Sequence, residues 1–447
     1  MKWIAILTVI GISTAITQPM RERRGTELPA AATAHFFGFI HAYPNSSNGD
    51  SVVCILGYYL LTSDLLYVHR QEVVSSYVAP YVVTIELRDS IGVVRFAYVF
   101  RDSVVRPHPP QYWSGDAVAN AVVKTLAKGT YTMTADIAQF QRQRLLWQSK
   151  FVIGDTPSAI AQMSLVFAQP VLTTGPTCIE LIGTTIPFGT RRLSALVVVP
   201  RMWAGREQIV AQCVLRKQYF PFYRNSDSVD IPATSQGEVL FTLPSCTVEQ
   251  NPQRKEVCLQ LMPNDRYRTL RYVLDLRRAV PGDYELVLMR PSTKDTLRVP
   301  FRLQWFVAPP QLFAGRYAVD VMQYVLTDEE YQRFRDLPDT VRLAAILAWW
   351  QKHDPTPATA YNEAMMEYFR RAYEARTKFA TAQSPDGALT ERGKIYILFG
   401  EPSQIETNFE EGRPGIEVWT YTNVVGKRFT FEISSEGVYR LVKIEPL

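Results

Sequence analysis

Histidine is the side chain best suited to acid–base chemistry and metal binding near neutral pH, and the sequence contains five histidines. None of them lies in an HExxH metal motif, and neither a GxSxG nucleophile motif nor a GxxxxGKS/T phosphate loop occurs in the chain. The one suggestive pair is His353 and Asp354, directly before Pro355. Catalysis by this pair is one interpretation. We favour the other, a helix cap, because a cation near a helix C-terminus suits the helix dipole.

Carboxylate pairs are the other common catalytic arrangement, and Glu401 and Glu406 could form one. Glu401 lies in a Gly-Glu-Pro turn, however, where a solvated charge is expected. The segment 387–393 carries two glycines without phosphate-loop spacing, and its Thr390 and Glu391 are predicted to cap a turn rather than to act on a substrate. The sequence thus predicts no catalytic residue, no metal site and no cofactor.

The chain contains an odd number of cysteines at low density, namely Cys54, Cys178, Cys213, Cys246 and Cys258. No CxxC pair or Cys/His cluster has zinc-binding spacing. Only Cys246 and Cys258 are close in sequence, and they flank a polar stretch, so a disulfide between them is one expectation in an oxidising compartment. The alternative, that both are small buried apolar residues, stays open.

The N-terminus predicts export. Lys2 and the α-amino group form a short positive region, residues 3–17 are uncharged and apolar, and residues 13–15 (Ser-Thr-Ala) offer a small-x-small cleavage site. These features predict a cleavable signal peptide over residues 1–17 and a secreted or periplasmic protein. Three arginines shortly after it count against export, because positive charge there slows translocation. The alternative is a buried strand or helix that begins a cytosolic domain.

Length and composition indicate a multidomain, β-rich protein. A chain of 447 residues suggests two to four domains, at about 100–200 residues each. The hydrophobic content of 47% excludes a largely disordered chain, and 23 tyrosines and 22 phenylalanines favour strands. The net charge of +5 is spread along the chain, so no nucleic-acid partner is expected. No later apolar stretch reaches the roughly 20 residues that an integral membrane span needs.

After a linker at residues 18–32, the sequence predicts two β-rich blocks, at residues 33–155 and 156–308. Each block ends with a Gly-x-Tyr strand, which contains Tyr131 in the first and Tyr284 in the second, followed by a last strand and a proline-containing boundary. This closing hairpin, with short strands and frequent turns, is typical of immunoglobulin-like or fibronectin-like sandwiches. Each tyrosine ring is expected to pack in the core, with its hydroxyl bonded to the backbone.

The segment 309–447 changes to a helical pattern and then to strands, which predicts an α+β domain of helices plus a small antiparallel sheet. Thr327 begins a capping box, an amphipathic helix follows, and the next helix is expected to start at Thr356. Residues 395–399 are predicted to be a short strand, and three further strands to form a meander. Helices and strands should share one core, which contains Trp350, Phe369, Phe379, Tyr396 and Trp419 or Phe431.

Residues 387–402 read Gly-Ala-Leu-Thr-Glu-Arg-Gly-Lys-Ile-Tyr-Ile-Leu-Phe-Gly-Glu-Pro. This segment resembles the name-giving motif and following strand of the GWxTD domain, a bacterial family. Residues 352–357 and 417–421 resemble the family's helix break and second strand, so that the resemblance covers residues 324–447. The positions to which it gives a motif or structural role are Gly387, Thr390, Glu391, Arg392, Gly393, Gly400, Pro402, Trp419 and Tyr421.

This chain departs from the GWxTD pattern at two positions, where Ala388 replaces tryptophan and Glu391 replaces aspartate. The resemblance implies no biochemical activity, since the family has none assigned, and it implies an exported protein with β-rich regions before the domain. The order Gly-x-Pro, Trp-x-Tyr and an aromatic strand also resembles the small outer-membrane lipoprotein module of the SmpA/OmlA type, which is a binding scaffold.

Two functions from different classes agree with these observations. The first is an exported, non-catalytic envelope or secreted protein, whose modules bind another envelope or secreted protein. The alternative is a secreted hydrolase acting on glycan or peptide, with sandwiches as accessory modules and carboxylates in the C-terminal domain. A deep pocket with converging acidic or histidine side chains would favour the hydrolase, and a shallow aromatic or apolar surface would favour binding.

We predict that the mature protein isolated from its host begins between Ile16 and Arg21, because signal peptidase cleaves after the small residues that end the apolar region. N-terminal sequencing measures this directly. Placing a charge in that region, as in Ile10→Asp, should leave the precursor uncleaved. A cytoplasmic protein that retains Met1 would contradict export.

Overall fold

The computed structural model describes residues 36–44, 51–71, 75–107, 117–140, 142–153, 165–170, 178–181, 184–200, 209–219, 231–232, 239–241, 247–251, 256–260, 267–306, 308–410, 413–422 and 426–447. Over these ranges the chain is mostly β-structure, with strands in five sheets. The described ranges contain five α-helices, which lie after the first four sheets and before the last one. The predominance of strands and the C-terminal combination of helices with a small sheet confirm the coarse prediction from the sequence.

The first β-block contains the strands β1 (Phe36–Pro44), β2 (Ser51–Leu61), β3 (Val68–Gln71), β4 (Ser75–Asp89), β5 (Val94–Arg106), β6 (Ala117–Ala127), β7 (Gly129–Gln139) and β8 (Arg142–Ile153). They form two antiparallel sheets, of order β1-β2-β6 and β3-β4-β7-β8, and β5 pairs with the edge of β4 opposite β7. Both sheets contribute to one buried cluster, in which the hydroxyls of Tyr58 and Tyr81 lie 3.3 Å apart.

The second β-block contains β9 (Leu165–Pro170), β10 (Cys178–Leu181), β11 (Thr185–Pro187), β12 (Arg192–Pro200), β13 (Val210–Gln218), β14 (Ile231–Pro232), β15 (Val239–Phe241), β16 (Thr247–Asn251), β17 (Glu256–Gln260), β18 (Tyr267–Asp275), β19 (Gly282–Met289) and β20 (Thr296–Gln304). One sheet has the order β15-β18-β12-β9-β10-β17-β16 and the other the order β11-β20-β19-β13-β14. Strand β11 runs parallel to β20, and the other described pairs are antiparallel.

Tyr131 and Tyr284 hold matching places in the two blocks. Each is the third residue of its strand, β7 or β19. Each hydroxyl donates to the carbonyl oxygen four residues earlier, at 3.0 Å for Tyr131 and 2.7 Å for Tyr284. Each ring stacks on a cross-strand phenylalanine, Phe151 at 5.8 Å and Phe301 at 5.3 Å between centroids. The predicted core packing with a hydroxyl-to-backbone bond is confirmed for both.

The C-terminal region contains α1 (Arg316–Met322), α2 (Asp328–Asp336), α3 (Asp339–Lys352), α4 (Glu363–Lys378), α5 (Glu391–Phe399), β21 (Gln404–Asn408), β22 (Gly415–Tyr421), β23 (Lys427–Ile433) and β24 (Tyr439–Pro446). The capping box at Thr327 is confirmed, because its hydroxyl and the Glu330 side chain each bond the other's backbone N–H. The predicted meander is also confirmed as β22-β23-β24, and β21 adds an edge strand that the sequence did not predict.

The predicted strand at residues 395–399 is wrong, because these residues form the second half of α5. Thr390 begins the helix by accepting a hydrogen bond from the Gly393 N–H at 3.1 Å. Helix α5 is covered by α4 on one side and by β24 on another, so three consecutive residues, 395–397, are buried. A short continuous apolar run of this kind cannot be assigned to strand or helix by its periodicity.

The predicted start of the next helix at Thr356 is wrong as well. Helix α4 begins at Glu363, because the Asn362 side chain accepts a hydrogen bond from the Met365 N–H at 2.8 Å. The N–H of Thr356 donates instead to the Asp354 carboxylate at 2.8 Å, which forms a turn between α3 and α4. An asparagine that caps the helix directly therefore replaces the predicted proline start.

The core of the second β-block continues into the helices. Trp305, which follows β20 and is 1% exposed, contacts Phe188 edge to face at 5.5 Å and Phe313 at 6.0 Å. Phe188 also contacts Tyr361, just before α4, at 5.4 Å. The intervening Leu312 is 1% exposed and its neighbour Phe313 is buried, so residues 308–313 are packed against the core and do not form an open linker. One buried cluster therefore includes both the β-block and the helices.

The predicted aromatic core of the C-terminal region is confirmed. Trp350 lies 6.1 Å from Phe369 between ring centroids, and Phe379 lies 5.3 Å from both Tyr396 and Trp419. The Trp419 ring in turn contacts Phe431 at 5.0 Å. These rings belong to the same buried cluster, which joins α3, α4 and α5 to the sheet β21–β24.

Candidate functional site

A cleft of about 250 Å³ opens beside the segment 387–393, between the end of α4 and the start of β24. We call it the motif cleft. Its walls combine two aromatic rings, two guanidinium groups and an exposed leucine, from Phe379, Tyr439, Arg392, Arg440 and Leu389. The cleft is therefore the place where the residues singled out by the GWxTD resemblance reach the surface.

The turn before α5 is held by side-chain bonds to its own backbone. Gly387–Leu389 form one turn of 3₁₀ helix, and the Asp386 carboxylate accepts a hydrogen bond from the Ala388 N–H at 3.0 Å. The Thr390 hydroxyl donates to the Gly387 carbonyl at 2.8 Å and accepts from the Gly393 N–H at 3.1 Å. Thr390 thus fixes both the end of the turn and the start of the helix, as a helix N-cap does.

The two glycines of the segment are required because backbone approaches them closely. A Cβ on Gly393 would lie 2.0 Å from the Gly387 carbonyl oxygen. A Cβ on Gly387 would lie 2.3 Å from the Ala375 carbonyl oxygen of α4. Backbone atoms cannot move aside as a flexible side chain can, so any larger residue at either place would separate the turn from α4 and α5.

Ala388, at the place of the family's tryptophan, is completely buried. Its carbonyl oxygen accepts a hydrogen bond from the Tyr324 hydroxyl at 2.9 Å. Burial raises the pKa of Tyr324 to about 12, so the hydroxyl stays protonated and donates at neutral pH. In this chain the position serves the packing beneath the cleft, and its side chain does not reach the cleft surface.

Arg392 is the most enclosed charged group of the cleft, with 13% of its side chain exposed. Its guanidinium carbon lies 3.2 Å from the centroid of the Tyr439 ring and 5.3 Å from that of Phe379. Its Nη1 lies 3.5 Å from Oε1 of Glu417, and that oxygen also accepts from the Trp419 indole N–H at 2.8 Å. The planar guanidinium suits this stacking between rings, and the ion pair neutralises the buried charge.

The two other charged groups of the cleft differ in their bonding. The Glu391 carboxylate accepts a hydrogen bond from the Leu441 N–H, which ties the start of α5 to β24. Arg440 is exposed and forms no ion pair within the part of the chain that the structure describes. Because Glu417 is paired with Arg392, the exposed charges of the cleft are Arg440 and Glu391, and the exposed Leu389 adds an apolar surface beside them.

The remaining predicted site residues lie at the far end of α5. Gly400 ends the helix with a φ of +81°, and its carbonyl accepts from the Tyr421 hydroxyl at 2.9 Å. Arg371 of α4 donates to the last carbonyls of α5, and Pro402 follows in the turn to β21. The structure therefore brings Thr390, Glu391 and Arg392 together at the cleft, buries Gly387, Gly393 and Trp419 beneath it and leaves Gly400, Pro402 and Tyr421 apart from it.

The partners of Arg392 were not predicted from the sequence. Glu417 and Tyr439 lie in β22 and β24, far along the chain from α5, and no local pattern links them to it. The only available signal was the alternation of β22, which puts Glu417 on the same face as Trp419 and Tyr421. The pairing depends on how sheet and helix dock, which a local motif does not encode.

The histidine and the two glutamates considered for catalysis form hydrogen bonds or ion pairs with neighbouring residues of the fold. His353 ends α3, its Nδ1–H donates to the Trp349 carbonyl at 2.8 Å, and its ring stacks on Trp349 at 3.9 Å, so the capping role is confirmed. Glu401 is 73% exposed and pairs with Lys378 at 2.9 Å, and Glu406 accepts from a neighbouring glutamine. Cys246 lies outside the described residues, so the predicted disulfide between Cys246 and Cys258 stays a prediction.

The C-terminal region matches a known protein family. Residues 302–444 match the family model of the GWxTD domain, which confirms the resemblance of the C-terminal region. A search of curated proteins found no match. Within the described ranges, no group of three or more His, Cys, Asp or Glu side chains is placed to hold a metal ion, and no helix is long and apolar enough to cross a membrane.

We predict that Gly393→Ala destabilises the protein by about 3 kcal/mol, the upper part of the usual range for overpacking. Helix propensity alone predicts the opposite sign, a gain of about 1 kcal/mol, since alanine favours helix over glycine. The conflict with the Gly387 carbonyl decides the outcome. Urea unfolding measures it, with the exposed neighbour Lys394→Ala as a control that should stay within about 0.5 kcal/mol. A stabilised Gly393→Ala protein would show that the close contact between turn and helix is not formed.

Proposed function

We propose, on the premise that residues 302–444 match the GWxTD domain, that this chain is an exported, non-catalytic binding protein. In this proposal the motif cleft holds a segment of another envelope or secreted protein. The main observation in its favour is that the charged groups of the cleft differ in whether they bond to the rest of the fold. Glu391 accepts a hydrogen bond from the backbone of β24 and Glu417 pairs with Arg392, while the exposed Arg440 has no ion pair among the described residues and the apolar Leu389 is exposed for contact.

A catalytic role would require a carboxylate or histidine able to exchange a proton with a substrate. Glu391 is bonded to the Leu441 backbone N–H, and Glu417 is bonded to Trp419 and paired with Arg392. Protonating Glu417 during a reaction would remove the negative charge that pairs with Arg392 and helps to attach α5 to the sheet. These carboxylates therefore suit a structural role better than an acid–base role.

A second cavity, of about 150 Å³, lies between the second β-block and helices α3 and α4. Its lining is mainly apolar and includes Val280, Leu347 and Trp350. Its one acidic residue, Asp354, accepts the Thr356 N–H in the turn between the helices. Like the motif cleft, this cavity lacks the converging acids by which a hydrolase would be recognised, and it supports the binding interpretation.

The exposed surface of the motif cleft indicates what kind of segment would fit. Leu389 is 43% exposed beside the ring of Tyr439, which offers apolar contact. Arg440 at the rim offers a guanidinium group, which bonds carboxylates in two-pronged geometry. A short peptide segment that carries an apolar side chain next to an acidic one would satisfy both contacts.

We infer that the first two blocks are β-sandwiches of the immunoglobulin-like or fibronectin-like kind. The inference rests on Tyr131 and Tyr284, because a tyrosine near the start of a strand that bonds to the backbone a few residues upstream is a hallmark of such sandwiches. It is supported by the common core of the two sheets in the first block. Such modules serve as rigid supports for interaction surfaces.

Export and a secreted or periplasmic location belong to the same proposal. They rest on residues 1–17, which lie outside the described residues, and on the sequence features given above. An exported binding protein would meet its partner among other envelope or secreted proteins.

We predict that a photo-crosslinking amino acid at Leu389 forms one discrete adduct with an exported protein in the native host. The same amino acid at Val341, an equally exposed position on α3, serves as the control and should form none. Arg440→Glu should remove the Leu389 adduct without changing the melting temperature, because Arg440 is exposed and its loss reverses the charge of the rim. Gel shifts and mass spectrometry of the adduct are the measurements.

Two outcomes would contradict the proposal. Equal adducts from Leu389 and Val341 would show that the cleft is not a specific contact. Hydrolysis of envelope glycans or peptides by the purified protein, abolished by Glu391→Gln, would establish the hydrolase instead. We expect Glu391→Gln to leave folding and binding nearly unchanged, because the amide oxygen can still accept the Leu441 N–H.

A further inference from the structure

Strand β5 forms a long edge of the first β-block. It has 13 residues and pairs with β4 from Tyr77 to Arg88. Within the described ranges, no strand pairs with its other edge. Half of its backbone N–H and C=O groups therefore face outward, in the arrangement that another extended strand would continue.

This edge lacks two of the usual protections against a second strand, a short length and a proline, although a bulge at Arg95 interrupts its pairing with β4. Edge strands are commonly short, interrupted by proline, or lined with inward-facing charges. Strand β5 contains no proline. Its exposed apolar side chains include Val94 at 43%, Tyr98 at 44%, Val99 at 39% and Val105 at 62%. So much exposed apolar surface along one unpaired edge indicates a contact surface.

The charges of β5 favour one kind of occupant. Ala97, Val99 and Arg101 alternate along one face of the strand, Arg95 is the extra residue of the bulge before them, and all four are exposed. Two cations thus flank an apolar centre at a separation of six residues, about 20 Å in an extended strand. The only acid of the strand, Asp102, is engaged, because it accepts hydrogen bonds from the Ser103 N–H and the Tyr81 hydroxyl.

The two arginines differ in whether they form an ion pair within the protein. Arg95 pairs with Asp89 at 2.6 Å, and Asp89 is fixed by the N–H groups of Ile91 and Val93 in the turn from β4 to β5. Arg101 forms no ion pair with any residue that the structure describes. Arg101 is therefore the stronger determinant for an incoming carboxylate, and Arg95 is the better oriented one.

We propose that the outer edge of β5 binds an extended peptide segment as an added antiparallel strand. The segment has an apolar centre flanked by acidic residues six positions apart, opposite Arg101 and Arg95. Backbone hydrogen bonds supply the affinity in this mode of recognition, and alternate side chains supply the specificity. A second copy of the chain fits less well, because its own β5 carries the same arginines and its one acid is already engaged.

The test uses a labelled peptide of the sequence Glu-Thr-Val-Thr-Val-Thr-Glu and fluorescence anisotropy with the full chain. A matched peptide has lysine in place of both glutamates. We expect the glutamate peptide to bind at least about tenfold more tightly than the lysine peptide, from two favourable ion pairs replaced by two repulsive ones. Arg101→Glu should reverse or abolish this preference, whereas Lys427→Glu, an exposed charge change on β23, should leave it unchanged.

The outcomes separate this proposal from the one for the motif cleft. Arg440→Glu, which alters the cleft, should not change binding of the glutamate peptide. Equal binding of both peptides, or an unchanged preference in Arg101→Glu, would overturn the proposal. Concentration-dependent dimerisation that Arg101→Glu abolishes, together with no peptide binding, would also overturn it and would assign the edge to a second copy.

Discussion

The packing of Trp305 between Phe188 and Phe313 is the contact on which the C-terminal half of the molecule depends. It lies where the last strand of the second β-block passes into the helices, and it makes the two regions parts of one buried cluster. Trp305 is 1% exposed and contacts both the second β-block and the segment that leads into the helices. Because protein interiors are close-packed, a displacement of either region would be transmitted through this side chain to the other. The helices therefore do not form a separate domain with its own core, but pack on the β-block.

The motif cleft inherits its geometry from this core. The Phe379 ring contacts Trp419 on one side and the Arg392 guanidinium on the other, so that a core ring also forms the wall of the cleft. Arg392 is in turn covered by Tyr439 and paired with Glu417. The surface that we propose for binding is thus built on groups that cannot move separately, and a preorganised surface loses less conformational entropy on binding.

Local signals in the sequence were sufficient to predict the structure where backbone groups form hydrogen bonds with residues close in sequence. The capping box at Thr327, the hydroxyl-to-backbone bonds of Tyr131 and Tyr284 and the C-terminal meander all follow from residues close in sequence. Local signals failed for α5, where burial on two sides removes the helical periodicity. They also failed at the start of α4, where Asn362 gains a second bond by donating to the Trp350 carbonyl of α3. The ion pair of Arg392 with Glu417 depends on docking between distant elements, which no local pattern encodes.

The central claim is that the second β-block and the helices share one core, and native-state hydrogen exchange at increasing urea concentrations tests it most directly. The amides of β19, in the β-block, and of α4, in the helical region, are the two reporters. If the core is shared, the slowest amides of both elements should exchange with the same free energy of opening and the same dependence on urea. A lower free energy for α4, with a smaller dependence on urea, would show that the helices unfold separately and would contradict the account.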